Sequence, residues 1–186
     1  RSIPGLPTAS AAQLNQLFGA INQITASLSQ PNRFVTLVAD DGNPATTEQN
    51  PLLIIDESLP NLSATITAVL TPALGAATAG FVGNLYGRAR HASNATASKD
   101  YILLTARGVI GTTQSGAPSP FNTVGVSYPM QDNTTLTASE TAEVKTATDA
   151  YNAKIKSVAT AKGLAFVDAN AVMTQIANGG IAANGF

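Results

Sequence analysis

The stretch TASETAEVKTATDAYNAKIKSVATAKGLAFVD, residues 137–168, decides the fold class. Thr137 and Glu140 stand three residues apart as a capping box, which predicts a helix from about residue 137 to 162. Gly163 is suited to end that helix in a left-handed conformation. Leu164–Asp168 follows as a short apolar strand that ends in a carboxylate. Helix, glycine and strand in this order form half of a repeating α/β unit, which predicts a parallel sheet.

The remaining elements follow from apolar spacing and from turn residues. Apolar residues recur at helical spacing over residues 8–29, so a helix is expected there. Pro72 is expected to split a second helical region, residues 62–86, because proline removes a backbone donor. Strands are predicted at Phe34–Val38, Leu52–Ile55 and Tyr101–Thr105, a long loop at 108–133 and a short helix at 169–177.

These elements predict an α/β fold in one domain, which is what the length of 186 residues allows. Residues 1–98 are interpreted as a mainly helical, cap-like insertion, and residues 99–186 as the α/β portion of the same domain. Within the second portion, one face of the long helix is expected to be buried. That face carries Val144, Thr148, Tyr151, Ile155 and Val158.

Composition excludes several functional classes. Ten basic and 11 acidic residues give a net charge of -1, so nothing attracts the chain to nucleic acid or to an anionic membrane. The absence of cysteine excludes disulfides, thiolate metal sites and cysteine nucleophiles. Only 11% of residues are charged, and a surface made polar by Thr, Ser, Asn and Gln suggests an exported bacterial protein. The apolar stretch Ile66–Val82 is too diluted by polar residues to span a membrane.

The two ends of the sequence do not resemble natural termini. Arg1 stands where an initiator Met would be expected and opens no signal-peptide pattern. The sequence then stops abruptly at Phe186. We therefore expect these residues to be the interior of a longer protein.

Two side chains invite a catalytic interpretation. His91 is the single histidine, in a cationic context in which nearby arginines would lower its pKa, and an ordinary surface histidine is the favoured interpretation. Ser58, in Asp56-Glu-Ser-Leu59, invites comparison with the Gly-Asp-Ser-Leu turn of esterases. The permissive glycine is missing, Glu57 precedes the serine and Pro60 follows the leucine, so a turn or helix N-cap serine is favoured.

The other candidate sites also have simpler explanations. Asp168 stands where α/β folds place functional residues, at the end of a predicted strand, but a cap on the following helix is favoured. Asp40-Asp-Gly-Asn43 offers oxygens to calcium without the ligand count of a recognised loop, so a turn is expected. Glycosylation sequons at Asn61, Asn94 and Asn133 are expected by chance in a chain this rich in Asn and Thr.

Several stretches resemble bacterial SGNH (GDSL-like) hydrolases, especially the exported lipoprotein-type esterases. The main ones are Tyr128–Glu140 leading into Glu143–Lys156, and Ala161–Asn170 with its Val-Asp strand end. In that family a helix with an Asn-x-x-Ile pattern, here Asn152 to Ile155, precedes such a strand. Two earlier stretches fit members with a long insertion: Leu53–Leu62, and Lys99–Thr105 with Val109–Gly111.

The resemblance implies part of a three-layer α/β/α, flavodoxin-like domain that hydrolyses esters without a cofactor. In this family a serine attacks the acyl carbon, a histidine acts as base, and the aspartate three positions before it, in an Asp-x-x-His block, orients it. Backbone N–H groups with a glycine and an asparagine form the oxyanion hole. The implied partner is an ester substrate, with no nucleic acid and no membrane-spanning segment.

The catalytic blocks of the family are not found in this chain. No position matches the Gly-Asp-Ser, Gly-x-Asn-Asp or Asp-x-x-His blocks, so no catalytic, cofactor-binding or metal-binding residue is assigned. Two hypotheses follow. The chain is a portion of an SGNH-type esterase or lipase whose catalytic blocks lie outside it, or it is a non-catalytic structural or surface-assembly module. A chain that stands alone is expected to self-associate through open sheet edges.

Overall fold

The computed structural model describes residues 2–43, 45 and 48–180, in which helices and strands are mixed. The chain divides into two compact units, Arg1–Thr141 and Ala142–Phe186. The helices are α1 (Thr8–Ser27), α2 (Ser63–Leu74), α3 (Ala76–Tyr86), α4 (Ala138–Ala161) and α5 (Ala169–Gly179). The strands are β1 (Ser2–Ile3), β2 (Asn50–Pro51), β3 (Leu53–Ile55), β4 (Ala89–His91), β5 (Tyr101–Ile102) and β6 (Thr135–Leu136). The predicted cuts at Arg1 and at Phe186 lie outside the described residues.

The strands pair as short antiparallel ladders, β1 with β2, β3 with β4, and β5 with β6. Strand β3 has a further neighbour, because Ile54 forms a parallel bridge with Met130. The apolar run predicted at Leu52–Ile55 is thus confirmed as a buried strand, with Leu52, Leu53 and Ile54 fully buried. The strand predicted at Tyr101–Thr105 forms only over its first two residues and gives way to a 3-10 helix, 104–108.

Helix α1 supplies one side of the main core of the first unit. Its apolar stripe is buried as predicted, with Phe18 stacked on Phe34 at a centroid distance of 4.5 Å. Tyr86 of α3 meets the edge of that pair and donates a hydrogen bond to the Ser127 carbonyl at 2.6 Å. The core residues are Leu14, Phe18, Ile21, Ile24, Phe34, Leu37, Leu53, Leu62, Ile66, Leu70, Ala79, Val82, Tyr86 and Ala89.

The segment predicted as a strand at Phe34–Val38 is neither helical nor part of a ladder. Its backbone is paired with asparagine side chains instead. The Asn22 amide bonds both the N–H and the C=O of Phe34, at 3.1 and 2.7 Å. The Asn15 amide does the same for Leu37, at 2.7 and 2.9 Å. Each amide therefore acts like a neighbouring strand residue, and we call this set the asparagine clamp.

The spacing of the clamp follows from helix and strand geometry. Asn15 and Asn22 lie seven residues apart on α1, a rise of about 10.5 Å. Phe34 and Leu37 lie three residues apart, a span of about 10 Å in an extended chain. Asn50 continues the pattern at Val38, bonding its N–H at 2.7 Å and its C=O at 2.9 Å. Side-chain amides thereby satisfy buried backbone groups that a strand would otherwise satisfy.

The second helical region breaks at Gly75 rather than at Pro72. Gly75 has φ +75°, a left-handed conformation that glycine adopts without strain, while Pro72 lies inside the last turn of α2. The two helices then pack very closely. A Cβ on Gly83 of α3 would lie 2.5 Å from the Ser63 carbonyl and 2.2 Å from Thr67 Oγ1, so only glycine fits there.

The capping box predicted for α4 is confirmed. Thr137 N donates to Glu140 Oε2 at 2.7 Å, and Glu140 N donates to Thr137 Oγ1 at 3.4 Å. Two further predictions for this region are wrong. The face of α4 expected to be buried is exposed, with Tyr151 at 71% and Ile155 at 56%, and Leu164–Asp168 forms no strand. Both expectations needed a sheet beside the helix, and none is formed by the described residues of the second unit.

Candidate functional site

Arg90 on β4 lies at the centre of a buried charge network. Its Nε donates to Asp56 Oδ2 at 2.6 Å, and its two terminal nitrogens donate to the two oxygens of Asp100 at 2.5 and 2.8 Å. The side chain of Asp100 is fully buried and that of Asp56 is 6% exposed. The two-pronged contact with Asp100 matches the planar geometry of a guanidinium.

Both carboxylates receive further hydrogen bonds. Asp56 Oδ1 accepts from Ser58 N at 3.0 Å and from Ser58 Oγ at 2.5 Å. Asp100 accepts from Ser93 N at 2.7 Å and from Ala138 N at 3.0 Å. Burial alone would raise the pKa of each carboxyl, but these bonds and Arg90 outweigh it and hold both pKa values below the ordinary range. The network is therefore ionised and fully satisfied at neutral pH.

A second arginine lies in the same region. Arg33 is 5% exposed, and its guanidinium donates to the carbonyls of Gly87 and Pro60 at 2.8 Å each and to the Gln30 side chain at 3.0 Å. Burial lowers its pKa, partly offset by the charge of Asp56. Two arginines and two aspartates thus leave this part of the molecule without net charge.

His91 is buried in the core rather than exposed in a polar loop, which corrects the surface interpretation. Its Nδ1 accepts from Val35 N at 3.0 Å, and its ring meets Phe18 and Phe34 edge-on. Burial lowers its pKa to about 4, so the direction expected from the sequence is right but the cause is burial rather than the arginines. Its Nε2 is buried and has no hydrogen-bond partner among the described residues. His91 is therefore neutral at pH 7.

Ser58 belongs to a turn, as the favoured interpretation predicts. Its N–H and its hydroxyl both bond to Asp56, and Asp56 is bound by Arg90. A nucleophilic serine needs a base at its hydroxyl. The hydroxyl of Ser58 donates instead to the carboxylate of Asp56, which is ion-paired with Arg90. Among the described residues, Ser58 and His91 form no hydrogen bond with each other. The two sequence candidates are therefore not brought together.

The remaining candidates take structural roles. Asp168 caps α5, accepting from Ala171 N at 2.9 Å. Asp40 bonds Gly42 N at 2.8 Å in a turn, and its carboxylate lies within 4.8 Å of those of Asp41 and Glu48. Such an exposed acidic cluster is common without a metal, so the turn interpretation accounts for it. Asn61 is exposed and bonds Ser63; Asn94 and Asn133 are exposed as well.

Sequence reasoning missed the network and the clamp. In the sequence, Arg90 stands out only as part of the cationic context of His91, and no motif singles out Asp100. The available signal was local: Asp100 directly precedes an apolar strand, and Asn15 and Asn22 recur at helical spacing beside the apolar stripe of α1. Asparagine is a weak helix former, so a repeated asparagine in a helix indicates a partner.

Comparisons with known proteins add no relatives. No protein-family model, curated protein or solved structure matches the chain. Among the described helices, none combines the length and the apolarity required to cross a bilayer.

Proposed function

We propose that this chain is a portion of an SGNH-type serine esterase or lipase that hydrolyses carboxylic esters and whose catalytic blocks lie outside the 186 residues. Within this proposal, the mixed α/β elements belong to a three-layer, flavodoxin-like domain, and the protein is exported. The chain supplies a supporting frame and not the reacting groups.

One observation carries the proposal. Three stretches on which the resemblance rests, Leu53–Leu62, Lys99–Thr105 and Tyr128–Glu140, meet in space around Arg90. Asp56 comes from the first stretch and Asp100 from the second, and Asp100 accepts from a backbone N–H of the third. The first and third also join through the bridge of Ile54 with Met130. The stretches on which the resemblance rests thus form one buried cluster, which supports the proposal that they belong to one scaffold.

The chemistry of the candidate residues supports the frame role. The one histidine of the chain is neutral, buried and bonded to a backbone N–H, and Ser58 is bonded to an ion-paired carboxylate. Neither side chain is placed for general-base catalysis. An ester hydrolase built on this frame therefore takes its nucleophile and its base from other parts of the protein.

The test uses the native gene product that contains this chain. Its intact mass is measured, and it is treated with a fluorophosphonate probe, which labels activated serines, and assayed with p-nitrophenyl butyrate. We expect a mass above that of the 186 residues, ester hydrolysis, and a label on a serine outside them. The chain of 186 residues alone is the control and is expected to stay unlabelled. An inactive, unlabelled native product, or a label on Ser58, would contradict the proposal.

Exposed apolar side chains favour a second candidate, a non-catalytic module that self-associates. In the second unit, Val144, Tyr151, Ile155 and Val158 of α4 are 45–71% exposed, and such patches commonly mark interaction sites. Leu164–Val167 forms no helix and pairs with no strand among the described residues, although Leu164 N donates to the Ala159 carbonyl and the Val167 carbonyl accepts from Ala169 N. Its two middle residues, 165 and 166, make no backbone hydrogen bond to a described residue that would prevent pairing with another chain. Sedimentation velocity of the 186-residue chain tests this: a stable monomer at all concentrations would count against it, and a dimer abolished by Ile155→Lys would support it.

A further inference from the structure

A crevice opens beside His91, where two chain segments that start side by side separate. His91 N donates to the Arg33 carbonyl at 2.9 Å. The parallel bridge of Ile54 with Met130 contains a backbone hydrogen bond of the same kind and also a second one. In that second bond, Ile55 N donates to the Met130 carbonyl at 3.0 Å. At His91 the corresponding donor, Val35 N, bonds the imidazole Nδ1 instead of the His91 carbonyl. The ring thus takes the place of a ladder bond.

Beyond this point, no backbone hydrogen bond joins the two segments among the described residues. Residues 32–36 line one side of the resulting cavity, 90–94 the other, and 49–51 a third, and its volume is about 940 Å³. This size lies at the upper end of the range of small-molecule sites, about 300–1,000 Å³.

The described lining is polar but carries no free charge. Amides and hydroxyls come from Asn32, Thr36, Gln49, Ser93 and Asn94, of which Gln49 and Ser93 already have partners within the chain. The two arginines that line the cavity are compensated by Asp56 and Asp100 or bound by carbonyls. Val35, 52% exposed, adds an apolar surface. A charged ligand would find no counter-charge here, whereas hydroxyl groups would find matched donors and acceptors.

His91 adds an independent observation. With Nδ1 accepting from Val35, the ring proton of the neutral imidazole lies on Nε2. That N–H is buried and has no partner among the described residues, and His91 is one of the residues that line the cavity; as a buried atom, Nε2 marks an unsatisfied wall of the cavity and is not itself a contact for a ligand. Buried donors without partners are rare and call for an explanation, of which a missing ligand or water is one.

We propose that this crevice binds a neutral, hydroxyl-rich ligand, namely a short oligosaccharide. The amides and hydroxyls of its rim bond the sugar hydroxyls, and Val35 packs against the apolar face of a sugar ring. The site is independent of the proposed ester hydrolysis, because it involves none of the groups that would carry that chemistry.

The test is a titration of the ¹⁵N-labelled chain, followed by NMR, with cellotetraose, xylotetraose and tetra-N-acetylchitotetraose at up to about 10 mM, the range that detects weak binding. We expect at least one probe to shift amide signals confined to residues 32–36, 49–51 and 90–94. Thr36→Trp, which fills the mouth, is expected to abolish the shifts. Asn94→Ala is expected to weaken binding about fivefold, the effect of one hydrogen bond.

Asn170→Ala on α5 is the matched control, because it removes an exposed asparagine far along the sequence from the crevice, and it is expected to leave binding unchanged. All three variants change exposed residues, and their folding is checked from the dispersion of the same spectra. The proposal is overturned if none of the three neutral probes shifts these signals, or if Thr36→Trp leaves the shifts intact. It is also overturned if only a sulfated tetrasaccharide binds, since that would require a cationic site.

Discussion

Helix α1 buries six of its 20 residues, whereas α4 buries one of its 24, Ala159. Both helices have apolar residues at helical spacing. The difference lies in what each helix meets: α1 packs on Phe34 and Leu37 and holds that segment through Asn15 and Asn22. For α4, the capping box determines where the helix begins, but the described residues of the second unit form no sheet that could cover its apolar face. Local patterns therefore predict a helix, and only distant segments decide whether its face is buried.

The largest expected effect tests the buried charge network around Arg90. Arg90→Ala leaves Asp56 and Asp100 buried without a counter-charge, and breaking a buried pair in this way costs about 3–5 kcal/mol. We expect the free energy of unfolding, measured by urea denaturation, to fall by that amount. Arg88→Ala is the control, since Arg88 is exposed and makes one long hydrogen bond of 3.4 Å. Equal losses for the two variants would contradict the network's role.

The same substitution in both helices tests the comparison directly. Ile21 of α1 is fully buried, and Ile21→Ala is expected to cost about 2–5 kcal/mol, as removal of a core isoleucine side chain does. Ile155 of α4 is 56% exposed, and Ile155→Ala is expected to change stability by less than about 0.5 kcal/mol. Urea denaturation of the 186-residue chain measures both. A large loss for Ile155→Ala would show that the face of α4 is covered in solution.

The elements that could be predicted from the sequence are those fixed within a few residues. The cap of α4, the Asp168 cap of α5 and the apolar stripe of α1 depend on neighbours three or four positions away. The clamp could not be predicted, because Asn22 bonds Phe34 12 residues later and Asn15 bonds Leu37 22 residues later. The strand expected at Leu164–Asp168 fails for the same reason. Its sequence favours a strand, but a strand requires a partner from elsewhere in the chain.

Acid should destabilise the α1 side of the molecule through His91. Burial holds its pKa at about 4 in the folded chain, below the value of 6.5 expected when unfolded. The unfolded chain therefore binds more protons between these values, so stability falls as the pH is lowered from about 6.5 to about 4, by on the order of 3 kcal/mol. Protonation would also place a proton on Nδ1, facing the Val35 N–H.

The measurement is the urea midpoint across this pH range. Because the chain has one histidine, His91→Gln is expected to flatten the dependence. The carboxyls of Asp56 and Asp100 have lowered pKa values in the folded chain, so they add their own loss of stability below about pH 5, and the effect of His91 is read above that pH. An unchanged slope in His91→Gln would mean that other groups cause the loss.

The clamp itself should contribute less than the core. Asn22→Ala removes the partner of Arg33 N, Phe34 N and the Phe34 carbonyl, and unsatisfied groups of this kind cost about 1–3 kcal/mol. We expect a loss of about 2 kcal/mol by urea denaturation and faster hydrogen exchange at Phe34. Gln23→Ala is the control, because Gln23 is the next residue of the same helix, carries the same amide group and is exposed. Unchanged exchange at Phe34 in Asn22→Ala would contradict the clamp.

The smallest expected effect concerns the one part of α4 that is held by defined contacts. Glu140→Ala removes the acceptor of Thr137 N, and losing half of a capping box costs about 1 kcal/mol. Glu143→Ala, one turn later and exposed, changes the same charge without touching the cap and is expected to cost little. Urea denaturation measures the loss, and NMR chemical shifts show whether the start of α4 frays. Equal effects would mean that charge at the helix N-terminus matters and the cap geometry does not. A larger loss in Glu140→Ala than in Glu143→Ala would show that the capping box stabilises α4. We expect this result because the apolar face of α4 is exposed and contributes little stability through packing.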